Sequence, residues 1–377
     1  MVRLPSRLMF PSALRSIRLT ANLGLWLGIS FAICFLTGLL SHLIQHPPGW
    51  FSWPSRPVQL YRVTQGIHVA TGLACIPLLT AKIWSVLPKL FTWPPVRGVA
   101  HAVDRATAGL LSAVALFQLV TGVLNIAYWY RPMPFAFIAA HYWTAWLVVG
   151  ALALHVAVKL PLLRSGPSVV DDPAADLPAR RSRRRFLGLV GATAGLVTLA
   201  TVGQTVRPLR DVSLLAPRVP DVGPQGLPVN RTAASAQVSK VDESYRLALD
   251  GPAGRTMLSL ADLHALPQST VDLPISCVEG WSARGRWTGV PFAELVRRAG
   301  GEVGRARVRV ESLERVGAYR SSVLEPNYAA DPKTLLALGL AGGELDLDHG
   351  YPCRLIAPNR PGVLQTKWIG VIVVEPV

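Results

Sequence analysis

Five long apolar runs, approximately Leu23–Gln45, Gly66–Leu87, Ala106–Trp129, Phe137–Val158 and Phe186–Val206, restrict this chain more than any other feature. Each can cross about 30 Å of hydrocarbon as a helix of about 20 residues. With half of its 377 residues hydrophobic, the chain is too apolar for an ordinary soluble enzyme. The runs predict a multidomain membrane protein, with an all-α four-helix transmembrane bundle in residues 1–165 and a fifth helix at 186–206.

Charge orients the spans. The net charge of +16 would suit a nucleic-acid binder, but residues 1–165 hold 13 Lys/Arg against one acid, Asp104, whereas residues 207–377 hold 20 against 18. Arg3, Arg7, Arg15 and Arg18 precede the first span. Lys89, Arg97 and Arg105 lie between the second and third, and Arg164 with the 180–185 cluster follows the fourth. The opposite loops hold only Arg56, Arg62 and Arg131. By the positive-inside rule the N-terminus is cytoplasmic and everything beyond the fifth span is extracytoplasmic. The excess charge belongs to a lipid bilayer, and no nucleic-acid partner is expected.

Trp50, Trp53 and Trp93 sit in Pro-rich loops as interfacial anchors. Residues 166–185 read as a polar cytoplasmic linker and 207–228 as an extended one. From Val229 the pattern becomes short alternating strands, "YRLALDG", "RVRVES" and "WIGVIVVEP", with one helix at Pro291–Ala299. Residues 229–377 are therefore expected to be a compact mixed α+β domain.

An ionisable side chain inside a span is costly, so it marks a candidate site. His42, His68, His141 and His155 qualify. His141 and His155 are 14 residues apart, almost four turns, which puts them on one face about 21 Å apart. That spacing suits one axial ligand for each of two stacked haems. His68, on a span of the same direction, falls at the depth of His141, so the two can clamp a haem b. Fourteen residues after His68 stands Lys82, leaving His101 at the mouth of span three as the partner available to His155. His42 competes with His68, or serves a quinone or a propionate. Residues 20–160 thus resemble the four-helix haem b membrane subunits of respiratory dehydrogenases, which implies one or two haems b and exchange with the quinone/quinol pool.

Before the fifth run, "SRRRFLGLVGATAG" resembles a twin-arginine export signal, formed by Ser182, Arg183, Arg184, Phe186 and Leu187. No small-x-small cleavage site follows it, so the segment is expected to remain as an anchor. That pathway carries folded proteins, which implies the twin-arginine machinery as a partner and a cofactor loaded in the cytoplasm.

The expected exported part has two cysteines, Cys277 and Cys353, and an oxidising compartment would allow them a disulfide. A nucleophilic cysteine needs a nearby base, for which only His264 and His349 are available there, and a zinc site wants paired ligand spacing that is missing. The segments "CVEGWSARGRWTGVPFAELV" and "HGYPCRLIAPNRPGVLQTKWIGVIVV" together resemble the molybdopterin-binding domain of the sulfite oxidase family, including its bacterial methionine sulfoxide reductase branch. The resemblance implies Cys277 as the protein ligand to molybdenum and a Mo-molybdopterin cofactor. It also implies His349, Arg354 and Lys367 as contacts to the pterin phosphate or neighbouring oxygens, Asn230 and Arg231 in the cofactor pocket, and Tyr319 near the substrate. Cys353 is expected to be a buried small hydrophobe.

The combined expectation is a membrane-bound molybdenum oxidoreductase in the cytoplasmic membrane of a bacterium. It would couple two-electron, oxygen-atom transfer chemistry on a small extracytoplasmic substrate to the quinone pool through haem b. Two alternatives stay open: a membrane-anchored binding or sensor protein with an inactive molybdopterin fold, and an active molybdenum domain on a haem-free anchor.

Overall fold

The structure, a computed structural model, describes residues 14–90, 94–164 and 177–375. Arg3, Arg7, Trp93 and the linker up to Asp176 lie outside the described residues. The chain divides into two compact units. The first comprises Met1–Leu36, Ile67–Thr201 and Val212–Pro217, and the second Thr37–Gly66, Val202–Asp211 and Arg218–Val377.

The first unit is helical. It contains most of α1 (Ile17–Gln45) and α2 (Leu60–Leu90), all of α3 (Val99–Ile126) and α4 (Phe137–Arg164), and nearly all of α5 (Leu177–Val202). By length and composition all five can cross a membrane. Leu36, Trp143, Leu189 and Leu196 are 63 to 68 % exposed, which suits a surface meeting lipid rather than water. Leu19 and Leu23 of α1, Leu78 and Ala81 of α2 and Val190 of α5 form one buried cluster. Helices α3 and α4 pack together, and Gln118 Nε2 donates to His141 O at 2.6 Å and to Thr144 Oγ1 at 2.8 Å.

Four helices begin earlier than the apolar runs. α1 starts at Ile17, α2 at Leu60, α3 at Val99 and α5 at Leu177, so Arg180 to Arg185 form helix rather than linker. Arginine breaks hydropathy but is a good helix former, so polarity ends the run without ending the helix.

The second unit contains two sheets. One has the order β2-β1-β10-β5-β6, built from β1 (Arg246–Gly251), β2 (Gly254–Ser259), β5 (Arg307–Ser312), β6 (Ser321–Leu324) and β10 (Ile369–Glu375). β1 and β10 run parallel, and the other pairs are antiparallel. The other sheet runs β3-β4-β7-β8, from β3 (Ser269–Ser276), β4 (Ser282–Pro291), β7 (Leu335–Leu340) and β8 (Gly343–Glu344), with β9 (Arg354–Ile356) also on β7. Short helices α6 (Ala233–Ala236), α7 (Leu260–Ala265), α8 (Phe292–Arg298) and α9 (Pro326–Ala329) complete the mixed fold. Phe292, Leu295 and Val296 of α8 bury their apolar face in the larger core with Val308, Val310, Ile372 and Val374. A second core holds Cys277, Trp281, Trp287, Leu335 and Ile356.

Candidate functional site

Strands β3 and β4 pair from Ser269↔Gly289 to Ser276↔Ser282, which leaves Cys277 to Trp281 as the turn. Cys277 N donates to Trp281 O at 2.9 Å and Gly280 N donates to Cys277 O at 3.1 Å. Gly280 holds φ +92°, where a side chain would be strained. The turn is tight, and it buries the thiol, which is 6 % exposed.

Around the thiol the partners come from far along the chain. Asn230 Nδ2 lies 3.3 Å from Cys277 Sγ and also donates to Glu279, while its Oδ1 accepts from Arg218 Nε at 2.7 Å. Trp281 Nε1 holds the same Glu279 carboxylate at 3.0 Å. Burial pushes the Cys277 thiol well above its ordinary pKa, and the charge of Glu279 adds to the rise. A metal bound there must displace a proton, and a soft thiolate suits a soft or high-valent centre. Tyr319 is raised by burial and then by Cys277, and its hydroxyl donates to Gln45 Oε1 at 3.2 Å.

His349, Arg354 and Lys367 meet in a second cluster. Arg354 and His349 are each 1 % exposed. Arg354 donates to His349 O at 2.9 Å and to Gln365 O at 3.3 Å, and its Nε is buried without a partner. Lys367 Nζ donates to Asp348 O at 2.6 Å and to Arg231 O at 2.9 Å. His349 Nε2 donates to Pro224 O at 2.7 Å. Gly350, at φ +110°, makes this convergence possible, because a Cβ there would stand 3.0 Å from Lys367 Cβ and 3.1 Å from Arg354 Cβ. Neither Arg354 nor Lys367 forms an ion pair with a carboxylate among the described residues; their bonds go to main-chain oxygens.

Asp348, Glu314 and Asp346 offset that positive charge only in part, and the titrations reflect it. Burial lowers Lys367 to about 7, with Arg354 adding to the effect, and lowers His349 to about 4, again with Arg354 contributing. Burial alone lowers Arg354 to about 9. Buried cations without anions are unstable unless an anion joins them, and a phosphate has the charge and the acceptor oxygens to do so. The donor set therefore fits the phosphate of a pterin cofactor. Arg231 faces elsewhere with its side chain, pairing with Glu314 at 2.6 Å, and joins the cluster only through its carbonyl.

Cys353 is fully buried against Tyr245, whose hydroxyl is 3.3 Å from its sulfur, and Cys277 and Cys353 are both free thiols.

In the helical unit, the rings of His68 and His141 approach to 6.5 Å between centroids at 81°. The Nδ1 of His68 donates to Cys34 O at 2.8 Å, which leaves Nε2 available. The Nδ1 of His141 is 3.4 Å from Thr121 Oγ1. The other histidines stand apart from this pair. His42 lies 4.8 Å, ring to ring, from His46; His101 Nδ1 accepts from Arg97 N at 3.2 Å; and His155 has a buried Nδ1 without a hydrogen bond among the described residues. Lys82 Nζ donates to Thr20 O at 2.6 Å.

Sequence reading passed over Glu279, Tyr61 and Gln65. Gln65 is 4 % exposed and donates through Nε2 to Val278 O, next to Cys277. A polar side chain one residue ahead of an apolar run was the available signal.

Comparison with known proteins follows this geometry. Residues 234–376 match the family described as oxidoreductase molybdopterin binding domain. An Azospira oryzae protein named "Putative protein-methionine-sulfoxide reductase subunit YedZ1" is 30 % identical over 239 residues, covering 57 % of this chain and 90 % of that protein. The sulfite oxidase of Macaca fascicularis is 29 % identical over 161 residues, covering 36 % of this chain and 30 % of its own length. The catalytic subunit MsrP of the protein-methionine-sulfoxide reductase of Xanthomonas campestris is 36 % identical over 110 residues, 25 % of this chain and 33 % of that one. The chain spans about a third of the length of these last two. It belongs to the molybdopterin-binding oxidoreductase family of the sulfite oxidases and protein-methionine-sulfoxide reductases. The matched domain implies a Mo-molybdopterin cofactor.

Proposed function

We propose that this protein is a membrane-bound molybdenum reductase that takes electrons from quinol, passes them through haem b, and removes oxygen from a small extracytoplasmic S-oxide. The observation that carries the reading is the buried thiol of Cys277 beside Asn230, in the unit that also holds the unpaired cations Arg354 and Lys367. Cys277 would hold molybdenum, and Arg354, Lys367 and the His349 segment would hold the pterin phosphate. The bound cofactor supplies two-electron oxygen-atom transfer.

The chain's own groups complete the chemistry. Asn230 donates toward the sulfur and so favours its thiolate form. Tyr319 would give a proton to the departing oxygen. In the balanced reaction a dialkyl sulfoxide takes up two protons and two electrons, its sulfur–oxygen bond breaks, and a dialkyl sulfide and water leave. Quinol, oxidised to quinone, supplies both electrons through haem b and releases its two protons at its own site, while the two protons taken up by the sulfoxide come from the extracytoplasmic solution, one of them by way of Tyr319. Two relatives named for protein-methionine-sulfoxide reductase favour the reductive direction.

Haem b at His68 and His141 rests on a distance. The two rings approach to 6.5 Å between centroids and would supply the two imidazoles that hold the iron, and the Cys34 carbonyl fixes the His68 tautomer that presents Nε2. No second histidine pair among the described residues has that separation, so we assign one haem; a quinone site is left for the cytoplasmic end, where Lys159 pairs with Asp104 at 2.7 Å. The charge distribution supports an N-terminus inside and a catalytic domain outside the cytoplasmic membrane of a bacterium. The motif from Ser182 to Leu187 supports export by the twin-arginine machinery.

The test is elemental and spectroscopic analysis of the detergent-purified chain, followed by turnover of methionine sulfoxide with a reduced quinol analogue. One Mo, one Fe, a reduced haem b band and quinol-driven turnover are expected. Iron without molybdenum, from a host that makes the pterin, would remove the role given to Cys277.

A further inference from the structure

The stretch after α5 folds back on that helix instead of extending away from it. Beyond Val202 the chain turns through a 3-10 helix at Arg207–Val212, and Val212–Pro217 rejoins the helical unit. Ser213 Oγ donates to Leu199 O at 3.1 Å, Leu215 N donates to Ala200 O at 2.9 Å, and Ala216 N closes a turn on Ser213 O at 3.1 Å. Carbonyls in the last turn of a helix lack partners within it, and the returning segment supplies two of them. Ala200 stands two residues before the end of α5, about 3 Å along its axis, so Leu215 lies beside the last turn of the span.

The segment itself is inside out for a loop in water. It reads Val212-Ser213-Leu214-Leu215-Ala216-Pro217, with Arg210 and Asp211 before it and Arg218 after it. Its one polar side chain, Ser213, is buried against α5, whereas Leu214 is 86 % exposed and Leu215 61 %. Leu196 and Leu199, in the turns of α5 beside it, are exposed as well. Large apolar side chains gathered on an exterior, with the only hydroxyl turned inward, suit an apolar surrounding.

We propose that Val212–Pro217 is a lipid-binding foot, which inserts Leu214 and Leu215 among the acyl chains at the bilayer boundary where α5 emerges. The occupant is lipid because the segment continues the apolar exterior of a span and is bonded to the last carbonyls of that span, while the charged residues at its two ends suit the headgroup level. The proposal rests on the reading of α5 as a membrane span. A chain pinned in this way leaves the bilayer at Arg218 rather than at the end of α5.

The experiment places a nitroxide label at Leu214→Cys in the full chain, held in phosphatidylcholine nanodiscs. Electron paramagnetic resonance then compares collisions with oxygen, which concentrates in lipid, and with nickel ethylenediaminediacetate, which stays in water. Leu196→Cys serves as the reference on α5, and Glu302→Cys, at an exposed position of the sheet unit, as the reference in water. The unsubstituted chain, labelled in parallel, gives the background of the four native cysteines. The oxygen-to-nickel ratio at Leu214→Cys is expected to be severalfold above that at Glu302→Cys and close to that at Leu196→Cys. Leu215→Cys is expected to give the same result and replaces Leu214→Cys if that variant fails to fold. A water-like ratio at both foot positions with a lipid-like ratio at Leu196→Cys would overturn the foot and leave the span standing. A water-like ratio at Leu196→Cys as well would overturn the span and the foot together.

Discussion

The Cys277 turn and the His68–His141 pair, the two places proposed to hold a redox centre, are constructed differently. Around Cys277 and the Arg354–Lys367 cluster, Cys277, His349 and Lys367 are held by partners from distant segments, Asn230, Pro224 and Arg231. His68 and His141 are each oriented by hydrogen bonding to one neighbouring helix, through Cys34 O and Thr121 Oγ1. The first arrangement holds buried cations that its carboxylates offset only in part and that a bound anion would relieve. The second pairs two imidazoles, each with its Nδ1 within reach of an oxygen on a neighbouring helix. A charged cofactor is captured by electrostatics, whereas a flat apolar one needs only two nitrogens at the right separation.

The sharpest break of the comparison is Cys277→Ser, which should reduce turnover to background while the reduced haem spectrum persists. His141→Leu should do the converse, abolishing the haem b band and quinol-driven turnover but leaving molybdenum content and activity with an artificial reductant. Loss of both cofactors in either variant would mean that the two sites are not independent. Arg354→Lys keeps the charge but loses the planar fork, and Mo content per chain should fall severalfold with haem unchanged.

A pH experiment sharpens the contrast further. Lys367 titrates near 7 when folded against an ordinary 10.5, so between these values the unfolded chain binds more protons. Stability of the cofactor-free protein should therefore rise with pH from about 7 to about 10, by at most about 1.4 kcal/mol per pH unit. His349, lowered to about 4, adds a rise of the same sign between about 4 and 6.5. Thermal melts of cofactor-free protein should follow this slope, and melts of loaded protein should be flatter above pH 7, because a phosphate keeps Lys367 protonated. The smallest effect is expected from Arg56→Ala. Arg56 is half exposed, so its pair with Asp331 should contribute about 1 kcal/mol or less in the same melts.

The helices were legible because hydropathy reports a span directly, and their polar extensions were not. Arg180 to Arg185 and the residues from Leu60 to Gln65 interrupt an apolar run without interrupting the helix. The mixed sheet fold was legible from alternation in segments such as "RVRVES", but the partner strands were not, since register depends on residues far apart in sequence. Cys277 stood out only through the motif around it. The partners of Glu279 are not legible in the sequence, because Asn230 reaches it from 49 residues away only in the fold. Gln65 stands just ahead of an apolar run, and its partner Val278 is 213 residues away.

The position of β10 has a consequence for the order of events in making this protein. It lies at the middle of its sheet, between β1 and β5, although it is translated after both. Until residues 369–375 have left the ribosome, that sheet has a gap at its centre, and Lys367, just ahead of the strand, has no fixed place. Closing the sheet and completing the cation cluster are thus one late step. The spans can enter a bilayer during synthesis, while the sheet domain can complete its cation cluster only after β10 has been made.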